Sequence, residues 1–170
     1  MMNKLNGRLF HLKEKDLGPA MLDADVIFVG GGNTKRMLEV WNAKGVDRLL
    51  KVALDKGILL MGTSAGVICW FEQGSTDSIP DTLTPLAGLG FLPGSACPHY
   101  DTEKKRRPNY RGMILKGQLK EGIACDEAAA LLYEGSELKR VLSADRKANA
   151  YTVRKKEGRI VETVVPACEL

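Results

Sequence analysis

Long hydrophobic runs are missing from this chain of 170 residues. No apolar stretch approaches the roughly 20 residues that a membrane-spanning helix requires, so a membrane protein is not expected. Histidine is scarce, with only His11 and His99, which leaves few side chains able to trade a proton near neutral pH. The four cysteines, Cys69, Cys97, Cys125 and Cys168, stand far apart with no CxxC pair. That spacing argues against a zinc site and against a dense disulfide framework, and buried free thiols are expected instead. Neither stacking aromatics nor a recognisable reader motif accompanies the basic run EKKRRPNYRGMILKGQLK. Nucleic-acid binding is therefore not expected, despite a net charge of +4. The opening MMNKLNGRLFHLKEKD lacks a long apolar core followed by small residues, so a secretory signal is not expected and the cytoplasm is the default compartment.

What is present reads as an α/β protein. A chain of this length suits one domain, residues 1–170, better than two. In ADVIFVGGGNT the β-prone run Val26–Val29 ends at three glycines, as a buried parallel strand does at its carboxyl edge. Asn33 or Thr34 can cap a helix carrying Met37, Leu38, Val40 and Trp41, with Gly45 as its stop. A second helical pattern, VDRLLKVALDKG, precedes the short apolar strand ILLM and the turn GTSAG. This rhythm predicts a parallel sheet with both glycine-rich turns at its carboxyl edge, where such sheets place their chemistry. Beyond it, Gln73 to Pro85 reads as a loop, LGFLPGSACPHY as a strand, and about Tyr110 to Glu121 as a basic helix. Short strands follow, with a hairpin turning near Lys156-Glu157-Gly158.

The turn Gly62-Thr63-Ser64-Ala65-Gly66 fits G-x-S-x-G between a strand and a helix, the setting of a nucleophile elbow. A serine there is either a nucleophile or a plain turn residue; the nucleophile needs a base and oxyanion donors. His11, in an amphiphilic stretch, reads as a surface or packing residue. His99, in ACPHYD after a strand end and a proline, is the credible base. Glu72, Asp77, Asp81 and Asp101 are the carboxylates considered to orient it, and order along the chain does not choose among them. The glycine triplet could also cradle a phosphate, but it lacks the lysine of a P-loop and the spacing of a dinucleotide fingerprint.

Taken together, FVGGGNT, GTSAGVICWF, TDS and PHY resemble the peptidase E family of serine peptidases, which includes aspartyl dipeptidases and, more distantly, cyanophycinases. The resemblance runs from about Ala24 to Gly122. It implies a parallel-sheet, three-layer α/β sandwich related to class I glutamine amidotransferases, here with a C-terminal β-hairpin. It implies Ser64 as nucleophile, His99 as base and Asp77 as acid, with Glu72 as the substitute acid. The oxyanion donors would be the N–H of Ala65 and one from Gly31 or Gly32, and no metal or cofactor is implied. Of Arg106, Arg107 and Arg111, Arg107 aligns best with the family's arginine for a substrate carboxylate. The implied activity is hydrolysis of short peptides, dipeptides with amino-terminal aspartate among them, through an acyl-enzyme. An acyl hydrolase of other specificity and an inactive, binding-only relative are the alternatives. Family members carry more chain ahead of the GGGNT strand than the 24 or so residues here. The reading is of a domain lacking part of that βα region, with an edge or apolar patch left exposed. A truncated gene, a shortened natural variant and cover by a partner subunit, as in a homodimer, all account for it.

Overall fold

The computed structural model describes Gly7 and residues 17–79, 82–145 and 147–169; His11 and Asp81 lie outside the described residues. The first elements follow the expected order: α1 (Gly18–Leu22), β1 (Val26–Val29), α2 (Thr34–Lys44), α3 (Val46–Asp55), β2 (Leu59–Gly62) and α4 (Ala65–Ile68). Asn33 caps α2 by accepting the Arg36 N–H at 2.9 Å, which satisfies one of the donors a helix start leaves unpaired. Gly45, at φ 70°, ends α2 and opens α3. Leu50 and Ala53 of α3 pack with Ile27, Val29 and Trp41 in the larger core.

The strands form three sheets, not the single parallel sheet expected. β1 and β2 pair in parallel, Val26 opposite Leu59 and Val29 opposite Gly62. The reason they stand apart is length: a parallel crossover takes about a dozen residues or more, and α4 has four before the chain enters β3 (Phe71–Ile79). With β4 (Thr82–Ala87) and β5 (Leu92–Cys97), β3 belongs to a six-stranded mixed sheet that continues through β6 (Gly122–Cys125), after α5 (Arg106–Leu115). β7 (Ala129–Glu134) and β8 (Glu137–Ser143) form a separate antiparallel pair. β9 (Ala150–Lys156) and β10 (Arg159–Val165) extend the six-stranded sheet, in the order β10-β9-β6-β5-β3-β4, and β11 (Cys168–Glu169) pairs with β8. β3–β5 and β5–β6 are parallel; β3–β4, β6–β9 and β9–β10 are antiparallel.

Three further departures have local causes. The segment read as a loop from Gln73 to Pro85 is mostly the β3–β4 hairpin, with Pro85 opposite Ser75. A proline is tolerated there because β4 is an edge strand. The basic helix begins earlier than expected and stops at Leu115, because Gly117 turns the chain at φ 71°. Arg106, within the basic run, is nevertheless 2% exposed and donates to Ser75 O at 2.9 Å and to Glu103 Oε2 at 2.6 Å. The terminal hairpin is where expected: Glu157 and Gly158, both at positive φ, link Lys156 to its partner Arg159, as a two-residue hairpin turn requires.

Among the described residues, one face of β1–β2 is apolar and exposed. Val26, Phe28, Leu59 and Met61 share one face of β1–β2, and Phe28 is 62% exposed. No helix among the described residues is long and apolar enough to cross a membrane.

Candidate active site

The elbow is built by close backbone approach. A Cβ on Gly62 would lie 2.1 Å from Gly66 O, and one on Gly66 would lie 2.1 Å from Val29 O. Both distances are far inside contact, so glycine alone lets β2 reverse into α4 against β1. Between them Ser64 sits at φ 56°, ψ −113°, a conformation costing about 1–3 kcal/mol that persists only where surrounding structure imposes it. The glycine triplet reaches the same spot: a Cβ on Gly31 would stand 3.3 Å from Ser64 Cβ and 3.7 Å from its Oγ. Gly31 thus lies against the serine and Gly32 follows at φ 141°. Ala65, directly after Ser64, is buried and opens α4.

His99 follows β5 by two residues, at φ 57°. Its Nδ1 is held by Glu127 Oε2, which leaves Nε2 as the free acceptor once Nδ1 carries the proton. The histidine side chain is 19% exposed and the glutamate 53%. Glu127 is itself fixed, for its N–H donates to Asp101 Oδ1 at 2.9 Å. The Tyr100 N–H, donating to Cys125 O at 3.1 Å, ties the two loops together. Ser64, His99 and Glu127 line one cleft of about 930 Å³.

Asp77 and Glu72, the carboxylates expected as the acid, are engaged elsewhere. Asp77 stands 3.4 Å from the guanidinium of Arg106. Glu72 accepts from Lys120 Nζ at 2.8 Å and from Gly94 N–H at 2.7 Å; these contacts hold its carboxyl below the usual range. Arg107 pairs with Glu162 and lies over the Tyr100 and Tyr151 rings, 5.2 and 4.9 Å from their centres. Sequence reasoning did not single out Glu127. The signal for it was there: GIACDE is a short apolar strand, and β6 runs parallel beside β5. Residues just past the carboxyl ends of neighbouring parallel strands meet, which brings Glu127 to His99. Asp126 next to it is 4% exposed, and burial raises its carboxyl above the usual range. Among the described residues no cluster of side chains is suited to a metal ion.

Residues 6–141 match Peptidase family S51. The chain is 45% identical over 158 residues to "Uncharacterized peptidase YgaJ" of Bacillus subtilis (strain 168), a match covering 93% of this chain and 68% of YgaJ. It is 30% identical over 146 residues to "Probable alpha-aspartyl dipeptidase" of Drosophila melanogaster, covering 80% of this chain and 60% of that protein. A "Putative Peptidase E Protein" of Listeria monocytogenes EGD-e, solved by crystallography, is 18% identical, with a TM-score of 0.48 over 92% of this chain and 69% of that one. The chain thus spans about two thirds of YgaJ and three fifths of the Drosophila relative. With the whole elbow, the glycine triplet, His99 and Glu127 inside the matched region, the chain belongs to peptidase family S51.

Proposed function

We propose that the chain is a serine-type peptidase of short peptides working through an acyl-enzyme, with Ser64 as nucleophile, His99 as general base and Glu127 as the acid that orients it. The observation carrying this reading is that Ser64 and His99 line one cleft while Glu127 holds Nδ1 of the imidazole. Ser64 Oγ attacks the peptide carbonyl carbon as its proton passes to His99 Nε2. The resulting oxyanion is met by the Ala65 N–H and by a backbone N–H of Gly31 or Gly32. His99 then gives the proton to the leaving amine as the C–N bond breaks. A water, deprotonated by His99, attacks the ester and releases the carboxylic acid, restoring Ser64. The base contributes about 10²- to 10⁴-fold in rate and an oxyanion donor about 10²- to 10³-fold.

In the proposed kinship to class I glutamine amidotransferases, Ser64 stands where those enzymes carry cysteine. A reducing, cytoplasmic setting is in keeping with the buried free thiols Cys69, Cys97 and Cys125. A preference for amino-terminal aspartate is supported by the name of the Drosophila relative; Arg107, the family-aligned cation, pairs with Glu162 and does not line the cleft, so it would have to leave Glu162 to meet a substrate carboxylate there.

The test is labelling with a fluorophosphonate and turnover of a dipeptide panel, wild type against Ser64→Ala. Labelling and hydrolysis by the wild type, both lost in the variant, are expected. A variant that keeps its activity, or a folded wild type that neither labels nor hydrolyses, defeats the reading.

A further inference from the structure

His99 and Glu127 sit on different loops, His99 two residues past β5 and Glu127 two past β6. Three consecutive residues of the first loop each bond to the second. His99 Nδ1 meets Glu127 Oε2, the Tyr100 N–H donates to Cys125 O at 3.1 Å, and Asp101 Oδ1 accepts the Glu127 N–H at 2.9 Å. The turn that presents them is closed on itself, since the Glu103 N–H donates to His99 O at 3.2 Å. It is anchored through the Glu103 carboxylate on buried Arg106, and the Thr102 hydroxyl stands 3.5 Å from the oxygen that holds His99.

The bond from Asp101 differs from the other two. The first is the catalytic contact itself, and the Tyr100 bond joins main-chain groups that almost any residue supplies. The third depends on side-chain type, for a short carboxylate reaches a backbone N–H as it does at a helix start. Asp101 is exposed, and among the described residues no lysine or arginine pairs with it. The main chain on either side of Glu127 is tied elsewhere: the Asp126 N–H donates to Asn149 O at 3.0 Å and the Ala129 N–H to Asp126 O at 3.1 Å. The N–H of Glu127 itself is tied to Asp101. Glu127 is half exposed, and a long carboxylate side chain in water has many rotamers to choose from. Its place on His99 therefore depends on how firmly its backbone is held.

We propose that Asp101 is a positioning residue: by accepting the Glu127 N–H it fixes the loop that carries the acid, so that the acid's carboxylate stays on Nδ1 of His99 while Ser64 reacts. This role rests on the reading of Ser64, His99 and Glu127 as the catalytic set. Without Asp101 the carboxylate leaves the imidazolium unsupported for part of the time, which lowers kcat. KM is spared, because Asp101 does not line the cleft.

Asp101→Ala and Asp101→Asn are compared, alone and together with Glu127→Gln, by steady-state hydrolysis of a dipeptide that the wild type turns over and by the rate of fluorophosphonate labelling, with circular dichroism to establish folding. Asp101→Ala is expected to lose about 3- to 10-fold in kcat and in labelling rate, the range of one hydrogen bond, with KM within about twofold. Asp101→Asn keeps an oxygen for the Glu127 N–H and is expected within about twofold of wild type in both. Beside Glu127→Gln, the further loss from Asp101→Ala shrinks to about twofold or less, as expected of two residues that act through one contact. Asp101→Ser, whose hydroxyl is one bond too short for that N–H, repeats the test should the alanine variant fail to fold. Normal kcat in Asp101→Ala, a loss confined to KM, a loss that asparagine does not restore, or a full further loss beside Glu127→Gln overturns the role. A wild type that neither labels nor hydrolyses is the failure of the peptidase reading; a wild type that labels, beside an Asp101→Ala protein labelled at the same rate, is the failure of the positioning role alone.

Discussion

Replacing Glu127 by glutamine isolates the contribution of the carboxylate that holds His99. The change keeps the shape and one oxygen but removes the charge that stabilises an imidazolium. A hydrogen bond to a charged group contributes about 1.5–3 kcal/mol, and about 1.4 kcal/mol in a barrier is tenfold in rate. The loss in kcat is therefore about 10- to 160-fold. A fully buried triad acid has a larger effect, about 10⁴-fold, but Glu127 is 53% exposed and water partly replaces it. Asp77→Asn provides the contrast. That carboxylate is 64% exposed and 3.4 Å from Arg106, and Arg106 keeps Glu103 and Ser75 O as partners. An exposed pair contributes about 0–1 kcal/mol, so kcat is expected to stay within about fivefold of wild type. The assay is steady-state hydrolysis of a chromogenic peptide, with fluorophosphonate labelling rates as a second readout that does not depend on substrate choice. A hundredfold loss in Asp77→Asn beside near-normal activity in Glu127→Gln would refute the assignment and return the acid to Asp77.

Gly66→Ala places a Cβ 2.1 Å from Val29 O, whereas Gly112→Ala, within α5, meets nothing within 4 Å. In urea titrations the first is expected to lose about 1–3 kcal/mol or more and the second to gain about 0.5–1 kcal/mol; shifts in the same direction would contradict the steric account. With a thiol reagent on native protein, Cys168, which is exposed, is expected to react at once. Cys69, Cys97 and Cys125 should wait for local opening, since burial pushes their thiols up, that of Cys125 to about 12. Two or more fast thiols would show that the core is looser than described. Asp126 has a carboxyl raised by burial and by Asp101, so its stabilisation is full below the ordinary aspartate pKa of about 3.9 and is lost as pH rises through the raised value. Asp126→Asn stays neutral and keeps an acceptor for the Asn149 N–H; its Tm relative to wild type should rise with pH from about 3 upward and then level off. A flat difference would show that the buried carboxyl carries no such linkage.

Much of the frame was legible because its causes are local. Four β-prone residues ending at Gly30 have few alternatives to a strand, Asn33 is suited to cap the helix that begins at Thr34, and a glycine at Gly158 suits a two-residue hairpin turn. The elbow was legible for the same reason, since Gly62 and Gly66 flank a small residue at a strand-to-helix turn, and the folded backbone supplies the contacts that demand them. The β3–β4 hairpin was not legible. Its stretch is rich in Gly, Ser, Thr and Pro and becomes a strand only through its neighbours, with β5 on one side and Arg106 donating to Ser75 O from beneath. The separation of β1–β2 from the main sheet likewise comes from the shortness of α4, which the run GVICWF did not announce.

The sequence by itself singled out Ser64, His99 and the glycine loop at Gly31 as candidates, because each depends on residue type within a few positions of a turn. Only the tertiary structure decided which carboxylate serves His99. Asp77, Glu72, Asp101 and Glu127 are chemically near-equivalent along the chain. The parallel pairing of β5 with β6 sets Glu127 on the imidazole, while Arg106 and Lys120 draw Asp77 and Glu72 elsewhere.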